Sequence, residues 1–266
     1  MSFAPEWLAL REGADAEARS AELLEPLRRA LRDRRLNRTP LVVRDLGCGT
    51  GSMGRWLSAR LDGPQHWILH DHDPALLARA AAALAGPGRT TEPREGDLTA
   101  LRADDLAGTD LVTASALLDL LTAKEVRSLA AACTAAGCPA LLTLSVTGRV
   151  EFDPAEPLDA EFAAAFDEHQ RRRTSGRRLL GPDAVPIATG AFEDLGGTVL
   201  TSPSPWWLGP RRPELTRWWL RDWVGTACEQ RPELAPEAPA YLRRRLGAPF
   251  RVSVWHADLL ALPGAP

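Results

Sequence analysis

The chain has 266 residues, 45% of them hydrophobic and 25% charged, and a net charge of −3. This is the make-up of a soluble globular protein long enough to bury a substantial core, and its charge gives no footing to a polyanionic partner. No apolar run reaches the ~20 residues of a membrane helix, and the opening MSFAPEWLALREG has neither the basic nor the apolar part of a secretory signal.

Residues 1–39 read as a helical cap. Glu6–Glu12 is a short amphipathic piece closed by Gly13, and Asp15 caps a longer helix running to about Arg35. Leu23, Leu24, Leu27 and Leu31 recur there at helical spacing, with Pro26 as a kink or division. Arg11, Asp15 and Arg19 are candidates to face a ligand, although a solvated helix face is the plainer reading.

Leu41–Leu57 (LVVRDLGCGTGSMGRWL) then reads as strand, glycine-dense turn and helix. That layout brings backbone N–H groups and a helix N-terminus against a polar ligand. The glycines fit two patterns, Gly49-x-Gly51-x-x-Gly54 of dinucleotide sites and Asp45-x-Gly47-x-Gly49-x-Gly51. Charge separates them, because a pyrophosphate is disfavoured beside a carboxylate whereas a cationic ligand end is drawn to Asp45.

His66–His70 reads as a second strand ending at Asp71, and Pro74–Leu84 as an alanine- and leucine-rich helix capped by Asp73. Asp71 lies 20 residues after Gly51, where an acid at a second strand end accepts ribose hydroxyls. Glu95-Gly96-Asp97 follows a polar turn, and Asp97 offers an acceptor for an exocyclic N–H; taken alone, the triplet is more simply a turn. Asp110–Ser115 is the next strand, Leu117–Leu121 leads into a helix over Lys124–Ala136, and Pro139–Val146 is another buried strand. Strands alternating with helices of ~10–15 residues indicate an α/β fold with a parallel, doubly wound sheet.

In this order, Asp45-Leu-Gly-Cys-Gly-Thr-Gly51, His70-Asp-His-Asp-Pro74, Glu95-Gly-Asp97 and Asp110–Leu121 resemble the class I S-adenosylmethionine (SAM)-dependent methyltransferases over roughly residues 40–146. The resemblance implies one Rossmann-like domain over 1–266, a doubly wound seven-stranded sheet with the last strand antiparallel, plus helical cap insertions. It also implies SAM as cofactor and S-adenosylhomocysteine as product. Asp45, Gly47, Cys48, Gly49 and Gly51 would hold the methionine end, Asp71 the ribose and Asp97 the adenine, with His72 and Leu98 also touching the cofactor. Ser115–Asp119 would face the methyl group, with Ser115 touching the cofactor. Ser115-Ala-Leu-Leu-Asp119 stands where enzymes methylating DNA amino groups carry N/D-P-P-Y/F. The Lys-Asp-Lys-Glu set of ribose-methylating RNA enzymes is missing too, as is a Cys-rich or basic appended module. The expected acceptor is therefore a small molecule rather than a nucleic acid or a membrane.

Residues 147–190 read as a cap insertion: a loop-like acidic Gly148–Pro157, an amphipathic helix over Asp159–Arg173 with Phe162 and Phe166 on one side, and a turn through Gly181-Pro182. Such insertions cover the substrate in methyltransferases, which makes His169, Gln170 and Arg171 candidates for substrate contact beside Arg11. A His-Gln-Arg helix followed by a Gly-Pro turn also resembles a bacterial subgroup of these enzymes. Arg171–Arg173, Arg177 and Arg178 could steer an anion, but Lys124 is the sole lysine, and the Arg, Ala and Pro bias of a GC-rich genome makes a solvated face simpler. Residues 191–266 form the C-terminal sheet half. Gly197–Thr201 reads as a strand, Ser202–Pro210 as a Pro-bounded loop displaying Trp206 and Trp207, and Glu214–Glu229 as a helix with core tryptophans. Tyr241–Leu246 is a short helix and Phe250–Leu262 the final strand, carrying a structural His256. Trp206 and Trp207 are candidates to floor an apolar pocket or box a cationic nitrogen.

Methyl transfer needs alignment and exclusion of water, and a hydroxyl or thiol nucleophile also needs a base. His169 and Asp119 are the catalytic candidates, with His72 third. Two rivals remain: an NAD(P)-linked oxidoreductase, disfavoured by Asp45 and by Tyr241 being the sole tyrosine, and a non-catalytic scaffold of the same fold. The four scattered cysteines (Cys48, Cys133, Cys138, Cys228) suggest reduced thiols and no metal. A cytoplasmic monomer or homodimer is expected.

Overall fold

The computed structural model describes residues 4–34 and 39–264, so the end of the N-terminal helix expected at Arg35 lies outside the described residues. The strands are β1 (Leu41–Leu46), β2 (Gln65–Asp71), β3 (Arg89–Glu95), β4 (Leu111–Ser115), β5 (Ala140–Asp153), β6 (Arg173–Thr174), β7 (Arg177–Arg178), β8 (Thr198–Pro203), β9 (Trp206–Leu208) and β10 (Arg251–Leu262). The helices are α1 (Pro5–Ala18), α2 (Leu24–Arg34), α3 (Ser52–Ser58), α4 (Pro74–Leu84), α5 (Ala123–Ala135), α6 (Leu158–Gln170), α7 (Ala184–Glu193), α8 (Pro213–Gln230) and α9 (Ala238–Gly247). None of the described helices is long and apolar enough to cross a membrane.

The main sheet runs β3-β2-β1-β4-β5-β10-β8. Neighbours from β3 to β5 are parallel, while β10 is antiparallel to both β5 and β8. This is the expected seven-stranded Rossmann-like sheet, and β9 adds a short eighth strand beside the first half of β10. The strand order reverses between β1 and β4, which opens a crevice at their C-terminal ends. Two apolar layers clamp the sheet. Leu27, Trp56, Leu57, Trp67 and Leu77 pack on one face with α2, α3 and α4; Val112, Leu129, Cys133, Leu142 and Phe192 pack on the other with α5 and α7. Burial of such faces is the main drive for the three-layer arrangement.

A third core has no counterpart in the expected cap. Beyond Val146, β5 continues to Asp153 where a loop was expected, because Val150 and Phe152 pair with the start of β10 and turn one face to α6, α8 and α9. Trp219 and Trp223 stack at 5.4 Å against Phe152 and Phe162, while Trp218 is 40% exposed. Tyr241 and Arg245 of α9 both bond Asp159 of α6 and so staple that layer.

Several local expectations shift for identifiable reasons. Helix α1 runs straight through Gly13, whose missing side chain leaves room for Arg212: a Cβ there would lie 2.9 Å from its Nη1. Asp15 is therefore interior to α1 rather than a cap, and the chain breaks at Arg19–Leu23 instead. The polar β3 carries Pro93, which an edge strand tolerates. Gly181-Pro182 opens a short 3₁₀ turn into α7, so the cap between β5 and β8 gives way to a sheet-packing helix at Ala184. Trp206 and Trp207 lie on β9, held by the β10 ladder, and not on a loop.

Candidate functional site

The crevice at the C-terminal ends of β1, β2 and β4 holds a cavity of about 450 Å³. Its floor is the turn after β1. Cys48 N–H donates to the His70 carbonyl and Gly51 N–H to that of Cys48, folding the turn over the neighbouring strand end. Gly47, Gly49 and Gly51 all have positive φ, a region that side-chain-bearing residues avoid. Gly51 also needs the space, since a Cβ would stand 3.1 Å from the Ala80 backbone. The Cys48 thiol is buried and its pKa pushed up, which makes it an unreactive lining group.

Asp45 ends β1 beneath this turn at 1% exposure. Its Oδ1 accepts from the Thr113 hydroxyl at 2.8 Å, but its buried Oδ2 has no partner among the described residues. Burial raises its pKa to about 7, against the Thr113 hydrogen bond and the charge of Arg19. Such a carboxylate is short of a cation. Across the cavity Asp71 ends β2, where its Oδ2 accepts from Gly49 N–H and its Oδ1 from Asp73 N–H. Asp73 takes the cap of α4, as Pro74 at N1 suggests, so Asp71 remains on the cavity wall. His72 lines the wall beside it, with Nδ1 3.3 Å from Asp71 and its ring half in solvent. Farther out, Asp97 caps a 3₁₀ turn by accepting from Thr99 N–H, which lowers its pKa; Leu98 and Leu76 line the same end.

The opposite wall is α1. Leu8, Arg11, Asp15 and Arg19 fall on one helical stripe facing the cavity, so the plain solvated-face reading is overturned. Arg11 donates through Nε to Asp15, whose Oδ1 also accepts from Trp206 Nε1 at 3.0 Å. Glu12 ties α1 to Arg55 of α3 by a two-pronged pair at 2.6 and 2.7 Å. Arg19 donates from Nη2 to Ser52 Oγ and Ser115 Oγ, which places it between α3 and the end of β4. Leu117, Leu120, Leu121, Thr174, Arg177 and Leu179 close the remaining side. Here the β6–β7 hairpin is fixed by Arg177, which pairs with Glu125 and donates to the Leu120 carbonyl. Glu125 is at the same time the N3 member of a capping box with Thr122.

Of the residues singled out in the sequence, Gly47, Cys48, Gly49, Asp71, His72, Asp97, Leu98, Ser115 and Arg11 line this cavity, and Asp45 and Gly51 stand directly behind its floor. Six others do not line it. Trp206 is buried behind Asp15 and packs on His256, while Trp207 is 70% exposed and touches Trp255. Arg171 is committed to Asp183 at 2.8 Å by both prongs, so its charge is neutralised outside the cavity. His169 sits at the end of α6 beside Arg172 and Glu229, and burial with Arg172 lowers its pKa. Gln170 and Asp119 each keep a buried oxygen without a partner among the described residues, and burial raises Asp119 to about 6. Beyond Leu117 the leucine wall went unmarked in the sequence, and Arg177, read there as a solvated or anion-steering charge, is instead an anchor on Glu125 and the Leu120 carbonyl. Their signal was no motif, only the stretch after β4 and a two-residue hairpin.

Residues 43–137 match a family model described as a methyltransferase domain. No curated protein matches the chain. Among solved structures, a putative methyltransferase from Bacillus halodurans C-125 superposes with a TM-score of 0.51 at 14% identity, covering 91% of this chain and 100% of that one. The YcgJ protein from Bacillus subtilis gives 0.51 at 13%, covering 91% and 99%. A SAM-dependent methyltransferase from Geobacter sulfurreducens, solved with S-adenosyl-L-homocysteine, gives 0.45 at 17%, covering 98% and 99%.

Proposed function

We propose that this chain, a class I SAM-dependent methyltransferase by its fold and by the domain match over residues 43–137, methylates a small, largely uncharged acceptor. The observation that carries the reading is the unpartnered Oδ2 of Asp45 beside the glycine turn. A buried carboxylate there fits the ammonium of SAM and repels a pyrophosphate, which weighs against a nicotinamide cofactor. Asp71 retains lone pairs for the two ribose hydroxyls, Asp97 Oδ2 for the adenine amino group, and Leu76 and Leu98 supply apolar contact for the ring.

When bound, SAM supplies a methyl group on a sulfonium, whose in-line transfer leaves a neutral thioether. The chain's part is to place the acceptor atom and keep water out. Leu8, Leu120, Leu121 and Leu179 make the chamber beyond Ser115 apolar. Its two outer guanidiniums are already neutralised, Arg11 by Asp15 and Arg177 by Glu125, which favours a neutral acceptor over an anionic one. The Asp15 carboxylate is taken up by Arg11 and Trp206, which fits an acceptor atom that is already nucleophilic, as an amine or a stabilised carbanion is.

Calorimetric titration with S-adenosylhomocysteine, with NADPH as control, tests the cofactor. Micromolar binding of the former alone is expected, and binding of NADPH alone would overturn the reading. Asp71→Ala should then lower affinity for S-adenosylhomocysteine about tenfold to a hundredfold, the span of a lost charged hydrogen-bond set.

A further inference from the structure

Arg11 and its neighbour Glu12 leave α1 about 100° apart around the helix axis. Glu12 turns to Arg55 on α3, the helix that follows the glycine turn. Arg11 turns the other way, to Trp206 of β9, where its guanidinium lies 4.9 Å over the indole. Burial is the larger influence on the pKa of Asp119, after β4, and of His256, on β10, and the charge of Arg11 acts on both as well. Asp45, by contrast, feels burial first and then Thr113, Arg19 and Asp71. Arg11 thus belongs to the β4 and β10 side of the cavity, where leucines line it, and not to the glycine turn.

Its guanidinium is held by one edge only. Nε donates to both oxygens of Asp15, at 3.0 and 3.2 Å, and Trp206 Nε1 fixes Asp15 in turn at 3.0 Å. Nη1 and Nη2 hold no partner among the described residues, and Arg11 lines the cavity. Arg177 differs, because its Nε and Nη2 are spent on Glu125 and the Leu120 carbonyl. Arg11 therefore presents a planar fork of N–H donors whose charge Asp15 already cancels. A carboxylate on that fork would meet the field of Asp15, and an ammonium would meet donors only, whereas a neutral oxygen satisfies the fork at no cost in charge. Leu8, Leu120, Leu121 and Leu179 ask for an apolar body around that oxygen. We propose that the acceptor is an apolar carbonyl compound, an amide, ketone or ester, whose neutral oxygen sits between Nη1–H and Nη2–H of Arg11. The assignment rests on the reading of the cavity as a SAM site, and it makes α1, outside the residues 43–137 of the domain match, the element that selects the acceptor.

Ligand-observed NMR titration of the full chain, saturated with S-adenosylhomocysteine, tests this with probes that share one apolar tail: hexanamide, a neutral carbonyl; hexanoate, an anion; and hexylamine, a cation without a carbonyl. The wild type should bind hexanamide at least tenfold more tightly than either of the others, and Arg11→Met should weaken hexanamide about tenfold or more, the span of hydrogen bonds from a charged donor. Tighter binding of hexanoate or hexylamine, no binding of hexanamide, or a preference undiminished in Arg11→Met would overturn the assignment. If Arg11→Met does not fold, Arg11→Lys, which keeps a cation for Asp15 but has no second nitrogen to turn to the cavity, takes its place with the same two outcomes. A protein that S-adenosylhomocysteine does not saturate would sink the SAM reading and this assignment with it, whereas saturation without a preference for hexanamide sinks the carbonyl assignment alone.

Discussion

Asp45 is the residue on which the site turns, and its environment makes pH a control. With its pKa raised to about 7 in the free protein, it is largely protonated below neutrality and cannot pair with an ammonium. Affinity for S-adenosylhomocysteine should therefore rise about tenfold per pH unit below 7 and level off above it. Calorimetry between pH 5.5 and 8.5 checks this, and a flat profile would contradict it. The same shift acts on folding with the opposite sense. The folded state holds this proton more tightly than the unfolded chain, so stability from this group is full below about pH 4, falls as pH rises to about 7, and stays lost above. Asp45→Asn removes that slope. It should raise the melting temperature of the free protein at pH 8, with little change at pH 4, while weakening ligand binding about tenfold to a hundredfold. Gly51→Ala puts a side chain at φ +85° and against Ala80, which should cost about 1–3 kcal/mol in denaturant unfolding. At this scale the sequence was most readable where the geometry is local in chain: Asp45 and Asp71 lie at strand ends, the glycines in the turn after β1, and Asp73 at the cap of α4. Arg19 was visible only as one of three polar residues on a helix, because its value depends on Ser52 and Ser115 far away in sequence.

Among the elements, α1 and the β6–β7 hairpin face each other over the cavity. The polar ties that hold them are Glu12, Asp15 and Glu17 for α1 and Arg177 for the hairpin. A ligand touching both should slow amide exchange in 8–18 and 173–178 more than in α5, and exchange unchanged by S-adenosylhomocysteine would separate these elements from the site. The path of α1 was the least legible part of the site. Gly13 reads as a helix stop, but it serves the close approach of Arg212, which pairs with Glu17 on the same helix. Asp15 reads as a cap, but its partners are a tryptophan 191 residues away and Arg11. The His169–Arg171 segment misled in the same way. Its residues carry chemistry, but the C-terminus of α6 turns Arg171 to Asp183 and leaves the cavity to the following hairpin.

For the whole molecule, the parallel, doubly wound part of the sheet could be read ahead from the alternation of apolar strands and helices, whereas the seven strands and the antiparallel last strand were implied by the family resemblance. The third core could not, because Phe152, Phe162 and the α8 tryptophans reveal no common face until β5 and β10 extend together beyond the sheet. That layer supports the fold without lining the cavity. Trp223→Ala should thus destabilise by about 3–5 kcal/mol, given its burial against Phe152, Phe162 and Trp219, yet leave the affinity of the folded fraction for S-adenosylhomocysteine within about threefold. Denaturant titration and calorimetry separate the two effects.

Trp7 lies on α1, 5.7 Å from Trp218 and 6.3 Å from Trp206, so the cavity wall carries an indole at the junction of two others on different elements. Any movement of that wall changes how these rings share excitation. The protein therefore contains its own optical gauge: a ligand-dependent emission change that vanishes in Trp7→Phe would time the arrival of the cofactor without an added label.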